Sequence, residues 1–328
     1  MSAKTVEKAD LITFEEGATD YAAVFDPVIH SVLSSPTWLG ALPRGSVRLA
    51  RYSGRSVPAF LPVSVGRRRG IPIVTNPVLT PWVEIVGGSA GSKRVGMIGD
   101  LHASSGAIAE LLRRRGVVRI RLHRSTASWL GFHWSGFLGN ARISYVVSGT
   151  SAEVWGSMKG ATRTTIRASA RHGLTIRPLA PEELVGAVSL FELHSAGKGF
   201  AYALDAEQLR SFFATTVSSG CGTVRGAFDT QGRLVGAAFF ADDARTRIYL
   251  MGAQDESGAK SNAISGLVWN AIDEALHEGR EFDFEGSMLP RVEEFARAFG
   301  GEQRTDVTVV WIPRPRKTVA SLRARLAH

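Results

Sequence analysis

The sequence predicts a mixed α/β fold made of two tandem copies of one unit, a three-stranded antiparallel meander followed by a crossover helix and a returning parallel strand. Three observations carry this reading. A chain of 328 residues exceeds the usual single domain, and its 44% hydrophobic content can bury two cores. A hairpin recurs, with Val47 and Arg48 reappearing as Val224 and Arg225, and Gly54, Arg55, Val57 and Ala59 as Gly232, Arg233, Val235 and Ala237. A helix and strand then recur, with Ala107, Ile108, Glu110 and Leu112 reappearing as Ala271, Ile272, Glu274 and Leu276, and with Gly116 and Gly279 ending the two helices.

In the first copy, alternating apolar residues place strands at 47–52 and 56–65 around a Ser53-Gly54 turn, and a third at 70–75. The run Asn76-Pro77-Val78-Leu79-Thr80-Pro81-Trp82 must then be a loop, because proline removes ladder donors. The helix through Ala107 leads to a strand at 117–122, and a domain boundary near Asn140 divides the chain into 1–140 and 141–328. The second domain is expected to open on a strand at 142–148, followed by helices at 152–172, 181–196 and 205–218. Its hairpin lies at 223–229 and 234–241, its third strand at 247–252, its last helix–strand pair ends at 280–285, and a strand at 302–311 closes it.

Composition removes several chemistries. Cys221 is the only cysteine, so an internal disulfide, a cysteine zinc site and a redox pair are excluded. The eight histidines show no H-E-x-x-H spacing, and no metal is expected. The first ten residues carry charge without an apolar core segment, and the apolar run 71–87 is broken by Pro72, Pro77 and Pro81, so a cytoplasmic location is expected. The net charge of +9 is concentrated at 67–69, 113–124, 159–177 and 314–325, blocks that suit phosphorylated substrates, nucleic acid or anionic lipid heads.

The most informative stretch is Glu281-Phe282-Asp283-Phe284-Glu285-Gly286-Ser287, followed by Phe295-Ala296-Arg297-Ala298-Phe299-Gly300. Strand alternation puts Phe282 and Phe284 on one face and Asp283 and Glu285 on the other. A strand ending in D-F-x-G, a short helix and a closing F-G turn resemble the C-terminal end of the Fem-type aminoacyltransferases and their acetyltransferase-like relatives, within the GNAT superfamily. The resemblance implies two tandem GNAT-like domains with a cleft between them. It also implies an N-acyltransferase that moves an acyl or aminoacyl group from acyl-coenzyme A or aminoacyl-tRNA to an amine of a phosphorylated or nucleotide-linked small acceptor, in cell-envelope or secondary-metabolite synthesis. No cofactor is then held tightly, and the partners are that acceptor, tRNA and an anionic membrane surface, with no DNA expected; nothing in the sequence sets an oligomeric state. The rival reading is a non-catalytic nucleic-acid-binding or scaffolding protein on a degenerate GNAT fold.

Candidate residues follow from residue type and from the resemblance. Glu285, at a strand end beside glycine, is the expected base for the attacking amine, His194 is the rival base, and Asp283 shares the strand face of Glu285. Arg163, Arg167 and Arg171 recur every fourth residue, so one helix face offers three forks to phosphate, with Lys198, Trp82 and Tyr249 as further acceptor contacts. The family's gap for the donor would lie between 247–252 and 281–285, with a phosphate-holding loop at Gln254, Gly258, Lys260 and Asn262. That loop is one residue longer than the family's between Gln254 and Gly258, lacks its second glycine and carries two acids; Ser261 is expected to cap the next helix. Fem-type enzymes end in F-K-x-x-F-G; Ala296 stands at the lysine position here, and Arg297 is the cation beside it.

Overall fold

The computed structural model describes residues 8–54, 57–89, 93–126, 128–199 and 202–313. The basic block at 314–325, and Arg55 and Ser56 of the first hairpin, lie outside the described residues. The first half contains β1 (Lys8–Thr13), α1 (Phe14–Val24), α2 (Pro36–Ala41), β2 (Arg48–Ser53), β3 (Ala59–Arg68), β4 (Ile71–Thr75), β5 (Val86–Gly87), α3 (Arg94–Arg113), β6 (Val117–Leu122), α4 (Leu130–Trp134) and β7 (Leu138–Val147). Two helices follow, α5 (Ser151–Ser157) and α6 (Gly160–Arg171). The second half contains β8 (Thr175–Pro178), α7 (Leu184–Gly197), α8 (Ala206–Ser218), β9 (Gly222–Phe228), β10 (Leu234–Asp242), β11 (Thr246–Gln254), α9 (Glu256–Lys260), α10 (Ala263–His277), β12 (Glu281–Asp283), α11 (Pro290–Arg297) and β13 (Glu302–Trp311).

Among the described residues, the strands join in one 13-stranded sheet of order β1-β2-β3-β4-β6-β13-β7-β12-β11-β10-β9-β8, with β5 on β3. The order reads the same from either end. β1 to β4 form an antiparallel meander that pairs parallel with β6, and β8 to β11 form one that pairs parallel with β12. The crossover helices are α3 and α10, as the repeat predicts. The last strands exchange places: β13 lies against β6 of the first half, and β7 lies against β12 of the second. β7 and β13 pair with each other from Glu302↔Val146 to Val310↔Leu138, closing the seam.

This exchange corrects two expectations. The strand predicted at 142–148 is present as β7 and pairs with β12 of the second half, but by its place in the repeat it is the counterpart of β13, the closing strand, and residue 140 falls inside it. The second repeat opens instead on β8, the counterpart of β1. The single helix predicted at 152–172 is broken, because Met158 takes an extended conformation (φ −61°, ψ 148°) and α6 starts afresh at Gly160.

Three apolar clusters hold the sheet. One lies under α3 and includes Ile108, Leu112, Val118 and Ile120, and a second lies under α10 and includes Leu267, Ile272, Phe282 and Phe284. The third spans both halves on the opposite face. There Trp38 of α2 meets Phe212 of α8 edge-on at 5.0 Å and stacks on Phe239 of β10 at 5.9 Å. The two halves therefore share a core and not only a strand pair.

Candidate active site at the seam of the two halves

At the centre of the sheet, four strands turn charged residues to one face. β6 supplies Arg121, β13 Asp306, β7 Arg142 and Ser144, and β12 Asp283; Arg124 and Glu285 come from the segments that follow β6 and β12. Arg121 is 4% exposed and binds both halves at once. It donates to Asp306 Oδ2 from Nε (2.9 Å) and Nη2 (2.5 Å), to Glu285 Oε1 from Nη1 (2.6 Å) and to the Glu285 carbonyl from Nη2 (2.5 Å). Its guanidinium lies 5.0 Å from the centre of the Trp82 ring. Asp283 accepts from Ser144 Oγ (2.5 Å), from the Glu285 amide (2.9 Å) and from Arg124, so its acceptor capacity goes to holding the turn.

That turn is strained. Glu285 sits at φ +61°, and the Gly286 amide bonds back to the Phe284 carbonyl at 2.5 Å, a three-residue turn closed around a left-handed glutamate. Gly286 follows at φ +81°, and a Cβ there would lie 2.1 Å from the Ile143 carbonyl oxygen, so only glycine fits. Burial pushes the Glu285 carboxyl above the ordinary carboxylate range, against the opposing charges of Arg121 and Arg142, while Asp283 pushes the same way as burial.

Glu285 borders two clefts. One, of about 340 Å3, is formed with Pro77, Leu79, Thr80, Pro81 and Leu250. The other, of about 290 Å3, is formed with Thr75, Arg119, Arg121, Arg142 and Thr308. Leu79, facing the first cleft, is also left-handed (φ +53°), so two strained non-glycine residues meet at one site.

The two halves differ where their meanders meet the parallel strand. In the second half, β11 pairs with β12 only as far as Ile248↔Asp283, and residues 249–254 run on without β12. Leu250 bulges, since Phe239 pairs with Met251 and Phe240 with Tyr249. The strand edge beside Glu285 is thus left open. In the first half the equivalent gap is filled. After Thr75 the Asn76 side chain bonds both the amide (2.8 Å) and the carbonyl (3.0 Å) of Arg121, and Val83 forms a parallel bridge to Leu122.

The other expected site residues fall in different places. Tyr249 lies in the open gap but on the α10 face, packed 5.6 Å from Phe240 and 6.4 Å from Phe284, with its pKa raised by burial. Trp82 is buried and stacks on His123 at 5.1 Å, so it supports Arg121 from behind and does not flank a substrate as expected. His194 is half-buried near the end of α7 and lines neither cleft; burial and then Lys198 hold its pKa below the ordinary imidazole value. Lys198 is the exposed C-cap of α7.

Two of the three α6 forks have protein partners. Arg163 donates to the Trp155 and Gly156 carbonyls at 3.0 Å each, capping α5, and Arg167 covers the Trp155 ring at 5.3 Å. Arg171 is exposed at the end of α6. The reading that like charges on this face stay unpaired without an anion is corrected for Arg163 and Arg167.

In the expected phosphate loop, Gln254 Oε1 accepts the Ile264 amide at 3.1 Å and Asp255 Oδ1 accepts the Gly258 amide at 2.7 Å. Gly258 is required for packing, because a Cβ would meet the Val235 carbonyl oxygen at 2.1 Å. Lys260 pairs with Glu256 at 2.7 Å. The N-cap of α10 is Asn262 at φ +59°, and not Ser261 as expected, whose hydroxyl turns back to the Ser257 and Gly258 carbonyls. Arg297 donates to Glu293 at 2.8 Å, and Glu293 also accepts the Tyr145 hydroxyl at 2.6 Å. Ala296 is buried beside the aromatic group of Phe284, Phe295 and Phe299.

Sequence reasoning missed Arg121, Arg124, Arg142 and Asp306 as site residues. A signal was present: Arg119 and Arg121 alternate on one face of an otherwise apolar strand, and a buried arginine demands an acid opposite.

Sheet order and the open gap define the class of fold as the tandem GNAT fold of the Fem type. No family model and no curated protein matches the chain. Among solved structures it is similar to FemX at 11% identity and TM-score 0.59, over 92% of this chain and 96% of that one. It is similar to L-PGS from Bacillus licheniformis at 12% identity and TM-score 0.54, over 95% of this chain and 96% of that one. It is also similar to a tandem GNAT protein from the clavulanic acid biosynthesis pathway at 12% identity and TM-score 0.51, over 94% of this chain and all of that one. At these identities the likeness is one of fold. Among the described residues, no helix is long and apolar enough to cross a membrane.

Proposed function

We propose that the protein is an N-acyltransferase whose reaction takes place beside Glu285, in the second half. The observation that carries this is the contrast between the halves: the gap beside β11 is open and meets a strained, half-buried glutamate, whereas the gap beside β4 is plugged by Asn76 and Val83. Neighbours of the same fold include FemX and a tandem GNAT protein, which favours acyl transfer over the scaffolding reading.

The donor is acyl-coenzyme A or aminoacyl-tRNA, and its acyl chain lies along the free edge of residues 249–254, where unpaired backbone groups can bond its amides. The acceptor is a small molecule with an amine. Glu285 takes a proton from the ammonium; the neutral nitrogen attacks the acyl carbonyl, and strand-edge amides hold the oxyanion. The C–N bond forms, the C–S or C–O bond of the donor breaks, and the nitrogen's second proton leaves with the thiolate or ribose oxygen. A raised Glu285 pKa makes the carboxylate a better base, and Arg121 keeps it aimed. The Gln254 and Asp255 bonds occupy loop amides that would otherwise face a pyrophosphate.

Incubation with labelled acyl-coenzyme A or charged tRNA and a panel of amines tests the proposal. An amide product from one donor supports it, and label that stays with both donors while the protein binds nucleic acid supports the scaffolding alternative.

A further inference from the structure

The second cleft beside Glu285 is basic. Arg119, Arg121 and Arg142 all line it, with the hydroxyl-bearing Thr75 and Thr308. Arg121 is spent on Glu285 and Asp306, but the other two guanidinium groups are not. Arg142 reaches Glu285 only at 3.6 Å and the Gly286 carbonyl at 3.4 Å, and its buried Nε has no hydrogen-bond partner. The Arg119 side chain makes no hydrogen bond or ion pair among the described residues. Burial disfavours the charged form of Arg142; Glu285 and Asp306 favour it, but Arg121 and Arg119 add to the burial penalty and the net direction is down. Two underused guanidinium groups lining one half-buried cleft are stabilised when an oxyanion joins them.

We infer that this cleft binds the anionic group, a phosphate or a carboxylate, of the amine acceptor. The inference rests on the acyltransferase reading for the word acceptor, but the anion site stands on its own contacts. Arg119 and Arg142 grip the oxyanion from β6 and β7, and Thr75 and Thr308 offer hydroxyls. A cleft of about 290 Å3 is larger than either ion, so the ion is one end of a larger molecule. Because Glu285, with Asn76 and Pro81, lines both clefts, an anion held here delivers the amine of the same molecule to that carboxylate. The site joins residues of both repeats, with Thr75 and Arg119 from the first and Glu285 and Thr308 from the second.

Calorimetry at low ionic strength, on the full chain, tests the site without any transfer assay. The probes are inorganic phosphate, acetate, O-phosphoethanolamine and β-alanine, with propylamine as the neutral control. Phosphate or carboxylate probes should bind at least tenfold tighter than propylamine. Arg119→Gln, which breaks no hydrogen bond or ion pair among the described residues, should remove that preference, and Arg119→Lys should restore part of it. The phosphate and carboxylate arms decide which oxyanion the site takes. Equal affinity for charged and neutral probes, or binding untouched by both Arg119→Gln and Arg142→Gln, overturns the inference. If transfer assays then yield product with no preference for anionic amines, the subsite fails while the acyltransferase reading stands. If the anions bind through Arg119 and no donor yields product, the subsite stands and the acyltransferase reading fails.

Discussion

Replacing Arg121 by Met removes the one side chain that ties both acids at the seam to β6. Asp306 is fully buried, and Glu285 is 24% exposed, so neither recovers full hydration when the guanidinium goes. Breaking a buried pair from one side costs about 3–5 kcal/mol. Arg124 keeps its 3.1 Å bond to Asp306 Oδ1, and the methionine still covers Trp82, which places the expected loss near the lower end, about 3 kcal/mol or roughly a hundredfold in the folding equilibrium. Urea unfolding followed by tryptophan fluorescence measures it. A double-mutant cycle with Asp306→Asn separates the pair from general packing, and the two changes should couple by more than about 1 kcal/mol. Additivity within about 0.5 kcal/mol, or a loss from Arg121→Met below about 1 kcal/mol, would refute the claim that this two-nitrogen contact to Asp306 Oδ2 holds the seam.

Glu285→Gln should keep the fold while lowering turnover by roughly 10² to 10⁴, and the acid limb of the wild-type kcat/KM profile should lie above the usual carboxylate range because burial raises the Glu285 pKa; full activity at neutral pH in the variant would remove Glu285 as base. The same raised pKa fixes a sign in stability: the contribution of Glu285 is fully present below its unfolded pKa and is lost as pH rises through its folded pKa, so Glu285→Gln should flatten the stability curve over that interval in unfolding experiments. Gly286→Ala should destabilise by about 1–3 kcal/mol or more and reduce activity with it, since both φ and the Ile143 carbonyl oppose a Cβ; wild-type stability would show that the turn can relax. Arg163→Ala with Arg167→Ala should cost roughly 1–2 kcal/mol in chemical unfolding by uncapping α5 and exposing Trp155, with little effect on KM for the acceptor; a raised KM at unchanged stability would return these forks to substrate binding.

The repeat and the class of fold were legible in the sequence because they rest on local rules. Alternation at 47–52 and 223–229, the glycine turns at Gly54 and Gly232, and the helix ends at Gly116 and Gly279 each depend on residues within a few positions of one another. The opposite facing of Phe282 and Asp283 followed from the same strand period, and so did the interest of Glu285 at its end. What the tertiary structure alone decided is which strand closes which half. β7 and β13 have equivalent patterns, and only the pairing of β13 with β6 and of β7 with β12 carries Asp306 to Arg121 across 185 residues and Glu285 to Arg121 across 164. The break between α5 and α6 folded Arg163 and Arg167 back onto Trp155, eight and twelve residues away, and packing of β6 on the loop after β4 hid Trp82 behind a guanidinium. A charged side chain in a sequence carries no record of its partner. Whether it faces water, a ligand or an opposite charge depends on the dielectric and geometry supplied by distant strands, which no local period encodes.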